Sequence, residues 1–411
     1  MELERVGREA ALATLRLTRS LIERHGPRIA GTRQCLNAAD QVAEMLRVHC
    51  DKVVQERFEM HPGSFRDVGK VTALSYFLAM LFLIAGGIWT YISFLAASFG
   101  LVYGAVLYIF NGKIFDRWFA TAEGCNVYGV IEPSGEVRHQ VILSGHHDSP
   151  YVLGFLLRFR KIARPRLAMA VLVYLSIVVI AATAVLRKSF GAGGELPVWL
   201  MIVEAVLGIF FVGPLYFLIT RLQSPGAGDN LNSTSTAITA GVHFSLRRKS
   251  GKPLKHTRVI VLSTDGEEAG MRGAADYVTR HRDELLSVPT SVFNMDCVYS
   301  LKDLSLITRD RNGTCALSEE MAEECRQIGA ALGHNVSVKP LLPGSGGTDA
   351  WTFARLGVKA TSFIGISPSS IGDKAVYHTL QDTVEHIEPE AVEAALDIAV
   401  NYVMYKDQES Q

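Results

Sequence analysis

Charged residues make up only 20% of this 411-residue sequence, below the roughly one quarter usual for soluble domains. The 41 basic and 41 acidic side chains cancel to a formal net charge of zero. No basic excess is present to displace counterions from a polyphosphate, which excludes a nucleic-acid binder. Cysteine is sparse as well. Cys35, Cys50, Cys125, Cys297, Cys315 and Cys325 show no paired or metal-type spacing, so a disulfide scaffold is excluded and a reducing compartment fits. No cleavable leader is read at the start, because Met1 to Arg28 is charged and helix-like. With 48% hydrophobic and 9% aromatic residues, the chain is not disordered.

The shortage of charge is local. Segments 71–112, 167–186 and 196–220 contain one charged residue, Glu204, and the rest of the chain has an ordinary charge content. A helix rises about 1.5 Å per residue, so about 20 apolar residues cross a hydrocarbon core of about 30 Å. Segment 71–112 therefore suits two spans, with a turn among Gly86, Gly87 and Ser93 to Gly100. Segments 167–186 and 196–220 add two more, joined by the loop Arg187 to Glu195. Buried core helices are the alternative, and so long an uncharged run fits a soluble core poorly. Two hairpins return the chain to the side it left. On that side stand Arg66, Lys70, Lys113, Arg117, Arg158, Arg160, Lys161, Arg164, Arg166 and Arg221, against Arg187 and Lys188 on the far side. The bias predicts a multi-pass protein with its soluble part in the cytoplasm. The cluster Arg158 to Arg166 reads first as topology setting and second as a contact for anionic lipids. Glu204, inside a span, is expected either to serve a function or to bond a Ser, Thr, Tyr or Trp of a neighbouring helix. Pro214 is expected to kink the same span.

The remaining sequence alternates strand-like and helix-like runs. Residues 1–48 read as two helices broken near Gly26-Pro27. Short β-rich runs lie at Val127–Glu132, Gln140–Ser144, Arg258–Ser263 and Ser291–Met295. Helical stretches cover 231–248, 268–286, 318–332, 347–356 and 389–405. This order predicts an α/β domain with a mostly parallel sheet flanked by helices, whose reactive groups gather at the carboxyl ends of the strands.

Metal-type ligands follow the apolar runs or occupy tight turns. In Gly145-His146-His147-Asp148, residues two apart face the same way on an extended strand. His146 can therefore act as a ligand backed by Asp148, which fixes its tautomer, while His147 points to the other face. Pro225-Gly-Ala-Gly-Asp229-Asn230 is a glycine-rich turn that pushes a carboxylate outward. Glu267 and Glu268 end a buried strand, Asn294-Met-Asp296 ends another, and Tyr377-His378-Thr379 lies near Asp382. Each piece alone is weak, and their joint order carries the argument.

That order, His-x-Asp, Gly-x-x-Asp-Asn, Glu-Glu, Asn-x-Asp, Tyr-His-Thr, resembles the di-zinc aminopeptidases of peptidase clan MH. Glutamate carboxypeptidase-like and glutaminyl cyclase-like proteins are relatives of that group. Gly26-Pro-Arg-Ile-Ala-Gly31-Thr32 is similar to the segment that opens the family's domain. The resemblance implies a zinc-exopeptidase fold made of 1–70, 113–166 and 221–411, with transmembrane hairpins inserted at 71–112 and 167–220. It implies that Asp229 bridges two zinc ions, His146 and Asp296 completing one site and Glu268 and His378 the other. Cobalt or manganese suits the same donors. By the same resemblance Glu267 is the general base, Asp148 orients His146, and Tyr377 hydrogen-bonds the oxyanion. A cis peptide at Asp229–Asn230 is also implied. The chain departs from the family at Gly228, where a second acid is frequent, at Leu231-Asn232-Ser233, and at Gly347-Thr348-Asp349-Ala350, which lacks a histidine.

The function expected is that of a membrane-embedded metallo-exopeptidase, foremost an aminopeptidase acting on peptides. Its hairpins would hold the site near the bilayer for hydrophobic substrates. The rivals are a carboxypeptidase, another amide hydrolase or a glutaminyl cyclase on the same scaffold, and a non-catalytic membrane scaffold. Cys297, although next to Asp296, has no neighbours that would make it a nucleophile. Oligomeric state and side-chain preference are not encoded in these motifs.

Overall fold

The structure, a computed structural model, describes residues 3–191, 196–366 and 376–411. Helices α1 (Arg8–His25) and α2 (Arg33–Arg47) are separated at Gly26-Pro27, as the sequence predicts. The hydroxyl of Thr32 caps α2 by accepting from the amide of Cys35, which satisfies one of the free N–H groups of the first turn.

A mixed eight-stranded sheet forms the centre. Its strands are β1 (Lys52–Met60), β2 (Ala122–Ile131), β3 (His139–His146), β4 (Thr257–Thr264), β5 (Thr290–Val298), β6 (Ser305–Ile307), β9 (Ser337–Lys339) and β10 (Lys359–Gly365). They lie in the order β1-β2-β4-β3-β5-β10-β6-β9. A two-residue ribbon, β7 (Arg309–Asp310) with β8 (Cys315–Ala316), stands apart. The central strands β4, β3, β5 and β10 are mutually parallel, while β1 and β2 are antiparallel additions at one side. Parallel strands are covered on both faces and so read as continuous apolar runs, as Val141-Ile142-Leu143 does. Val141 and Leu143 pack with α9 (Asn232–Lys249), α12 (Glu319–Ala331) and α14 (Pro389–Glu409). Ile142 packs on the opposite face with Tyr277 of α10 (Arg272–Arg280) and Phe353 of α13 (Ala350–Leu356). The expected helix 268–286 starts later and breaks into α10 and α11 (Arg282–Ser287). Gly266 and Gly270 turn the chain with positive φ ahead of it.

Among the described residues, four helices are long and apolar enough to cross a membrane: α4 (Val68–Ala85), α5 (Trp89–Tyr108), α7 (Ala163–Ser189), and Val198–Phe217, whose first part is α8 (Val198–Leu207). Short helices α3 (Pro62–Arg66) and α6 (Gly154–Phe159) precede the two hairpins. The first turn lies at Gly86-Gly87, both at positive φ. The region Ser93 to Gly100, the other expected position of that turn, is instead inside α5, where Ser93 donates to the carbonyl of Ala79 at 2.8 Å. Of the far loop Arg187 to Glu195, residues 192–195 lie outside the described residues. Beyond α8 the helix widens over Gly208–Val212 and tightens over Gly213–Phe217. The change accords with Pro214, which has no N–H to continue a regular ladder.

Polar contacts join the four helices inside, while Leu81, Leu95, Val179 and Ile209 are exposed outside. Glu204 accepts from Tyr76 of α4 at 2.8 Å and from Ser176 of α7 at 2.9 Å, the structural alternative foreseen for it. The hydroxyls of Ser75 and Tyr174 lie 2.8 Å apart, and Tyr174 donates to the carbonyl of Ala97.

Candidate metal centre

The carboxyl ends of the parallel strands carry the centre. His146 closes β3, Asp296 lies in β5, and Glu267 and Glu268 follow β4 after the turn at Gly266. Asp229 arrives on the turn Ala227–Leu231 at the start of α9, and His378 on the loop after β10. The Asp229–Asn230 peptide is cis.

These groups converge around Asp229. One of its oxygens, Oδ1, lies 3.4 Å from Nε2 of His146; the other, Oδ2, lies 2.9 Å from Nε2 of His378. His146 Nε2 is also 3.9 Å from Asp296 and 3.9 Å from Glu267, and His378 Nε2 is 3.5 Å from Glu268. Donor atoms of His146, Asp229 and Asp296 lie within 4.8 Å of one another, as do those of Asp229, Glu268 and His378. The structure thus gathers all five expected ligands into two triplets that share Asp229. Nε2 of His146, Oδ2 of Asp229 and Oε1 of Glu268 are buried without a hydrogen-bond partner, a costly arrangement unless cations are bound. Carboxylate oxygens with imidazole nitrogens suit zinc. The residues fit such ions.

Asp148 holds the centre from behind. Its Oδ1 is 3.2 Å from Nδ1 of His146, and its carboxylate accepts the amides of Glu267 and Glu268 at 3.2 and 3.1 Å. His147 faces away, with Nδ1 2.8 Å from the hydroxyl of Ser263. It belongs to a further buried group with Cys35 and Asp265, in which the Cys35 thiol donates to Asp265. The ring of Tyr377 lies tilted against that of His378, with centroids 4.1 Å apart.

The crowding of acids sets the electrostatics. Burial, reinforced by neighbouring carboxylates, pushes Glu267 and Glu268 well above the usual carboxylate range and Asp296 up to about 7. Burial opposes charge on His146, yet the close carboxylates of Asp148 and Asp229 hold it well above an ordinary imidazole. Asp229 is buried too, but its contacts with His146 and His378 keep it below the usual range. Bound cations would relieve this crowding of acids.

Three supporting residues carry roles that the motifs do not announce. Asp382 accepts the amides of Gly228 and Asp229. Arg28, fully buried, donates to the carbonyls of Gly26, His147, Pro225 and Gly226 and so clamps three segments together. Asp349, in the segment that departs from the family, accepts the Thr264 hydroxyl at 2.5 Å, and burial pushes it up to about 6. The departure at Gly228 also has a cause, since a Cβ there would meet the Tyr299 ring at 2.0 Å. The sequence signals were present in Gly26-Pro-Arg28 and in Asp382 near His378, but neither shows which backbone atoms it holds.

A parallel-centred α/β sheet with two ligand triplets at its strand ends defines a zinc-exopeptidase class of architecture. Residues 213–403 match Peptidase family M28. Aminopeptidase YwaD of Bacillus subtilis (strain 168) is 28% identical over 177 residues, which cover 43% of this chain and 36% of that protein. The match thus spans about a third of the relative's length. Among solved structures, a zinc aminopeptidase from Bacillus subtilis aligns over 99% of this chain and 96% of its own, with TM-score 0.56 and 18% identity. A glutaminyl cyclase from an Acidobacteriales bacterium aligns over 100% and 97%, with TM-score 0.56 and 16% identity. These likenesses bear out the family resemblance and the fold.

Proposed function

We propose that the protein is a membrane-embedded di-zinc aminopeptidase with its catalytic domain on the cytoplasmic face. The observation that carries this reading is Asp229, whose two oxygens face two different histidines, each with a further carboxylate. In this reading His146, Asp229 and Asp296 hold one ion, and Asp229, Glu268 and His378 hold the other. Two such cations polarise a peptide carbonyl and lower the pKa of water towards 7.

The chain's own residues would do the rest. Glu267, adjacent to a ligand but not needed as one, takes the proton of the attacking water and passes it to the leaving amine. Asp148 fixes the tautomer of His146 and pins the backbone of both glutamates. Tyr377, kept protonated because burial raises its pKa, has a hydroxyl to offer the developing oxyanion. A floor rich in carboxylates favours a substrate's ammonium group, hence the amino-terminal direction. The peptidase domain is taken as 1–70, 113–166 and 221–411, with hairpins at 71–112 and 167–220, and the excess of basic residues beside them supports the cytoplasmic side.

The test is Glu267→Gln. It should retain two zinc ions per chain by elemental analysis while peptide turnover falls at least about a hundredfold. Wild-type turnover in that variant would refute the reading.

A further inference from the structure

A continuous cavity of about 480 Å³ joins the candidate metal centre to the apolar helices. Asp229, Glu267, Glu268, Asp296 and His378 line it. So do Val68 of α4, Leu156 of α6, Leu167 of α7, and Leu218 at the close of the second hairpin. Arg66 and Arg164, which flank the apolar helices in the chain, line it too, and such basic residues belong at headgroup depth rather than in hydrocarbon.

Hydrogen bonds hold this wall to the centre. The amide of Leu153, just before the second hairpin, donates to the carbonyl of His378 at 3.1 Å. Asn111, at the close of the first, donates to the carbonyl of Gly270 at 2.8 Å, two residues beyond Glu268. Arg311, another residue of the lining, donates to the carbonyl of Leu107 at 2.8 Å. The hairpins therefore form part of the site as well as an anchor.

The two groups of lining residues select for different chemistry. Asp229, Glu267, Glu268 and Asp296 crowd four acids into one wall, which favours an amine and disfavours a lipid phosphate. The apolar group offers aliphatic side chains that gain by removing apolar surface from water. Resting on the aminopeptidase reading of the same site, we infer that the substrates are peptides with apolar amino-terminal segments lodged at the membrane interface. The amine reaches the carboxylate floor, and the following apolar side chains lie along Leu156, Leu167 and Leu218.

The test uses zinc-loaded protein in lipid nanodiscs and two peptides with free amino termini. One begins with Leu and Phe residues, the other with Ser and Gly, and both carry a photoreactive diazirine at the third position. Equilibrium binding should favour the apolar peptide at least tenfold, with cross-links on Leu156, Leu167 or Leu218. The preference should shrink at least fivefold in Leu218→Gln, and also in Leu167→Gln should the first variant fold poorly. Equal affinities, or cross-links confined to the outward-facing Leu172, Val179 and Ile209, would overturn the inference. Hydrolysis is scored separately. Selective binding without cleavage removes the aminopeptidase reading and keeps the occupant, whereas cleavage of both peptides with equal affinity does the reverse.

Discussion

Asp382 accepts the amide of Asp229 at 3.2 Å and that of Gly228 at 2.8 Å. The residue proposed to bridge two ions is thus held by its backbone from a point 153 positions away in the chain. The carboxylate of Asp382 is fully buried, and burial together with Asp229 pushes it up to about 7. It acts on Asp229 through the backbone, which makes it a positioning residue of the proposed centre.

Removing that support should loosen the ions before it affects anything else. Asp382→Ala is expected to lower zinc affinity by about 10- to 100-fold, measured by competition with a chelator, while the fold survives by circular dichroism. Unchanged affinity in a folded variant would show that Asp229 needs no such prop.

The hairpins make a separate prediction about packing. A Cβ at Gly100 would come 1.8 Å from the Ser75 hydroxyl and 2.1 Å from that of Tyr174, where α4, α5 and α7 meet. Gly100→Val should therefore cost about 1–3 kcal/mol or more through overpacking, read as a lowered unfolding temperature in detergent. Gly104, whose Cβ would reach only Thr72 at 3.6 Å, provides the tolerant control. Equal effects at the two glycines would contradict the proposed crossing.

An acid-sensitive element lies far from the centre, at the start of β3. Burial, with Lys406 nearby, pushes His139 down to about 4, whereas an unfolded histidine titrates near about 6.5. The unfolded chain therefore binds the proton more readily between these values. The stability gained by keeping His139 neutral is complete above about 6.5 and is lost as the pH falls towards 4. His139→Gln, which keeps a partner for Ser291, should narrow the loss of stability between pH 7.5 and 4.5 by about 2 kcal/mol, allowing for partial exposure. Urea unfolding at the two pH values measures this, and a wild-type-like difference would contradict it.

Much of the architecture could be read directly because burial and chemistry coincide with sequence pattern. β3, β4 and β5 are continuous apolar runs covered on both faces, each ending on or beside a candidate ligand. The membrane-type helices stand out because an uncharged run has no other easy place. β1 is not legible in the sequence, for the opposite reason. It is an edge strand paired only with β2, so Gln55, Glu56, Arg57 and Glu59 interrupt its apolar pattern. Arg28 and Asp382 were hidden because each serves backbone atoms that only the folded chain brings near. The split of 268–286 followed from Gly266 and Gly270, whose positive φ turns Glu267 and Glu268 into the site ahead of the helix.

Cleavage of peptides from their amino termini by the proposed Asp229-centred pair of triplets is open to direct measurement. The most direct measurement is mass spectrometry of a mixed peptide pool after incubation with detergent-purified, zinc-loaded protein, each peptide supplied both free and N-acetylated. Stepwise loss of residues from the free peptides alone is the expected result. Cleavage of the acetylated set at the same rate, or no cleavage of either set with two ions confirmed per chain, would contradict it.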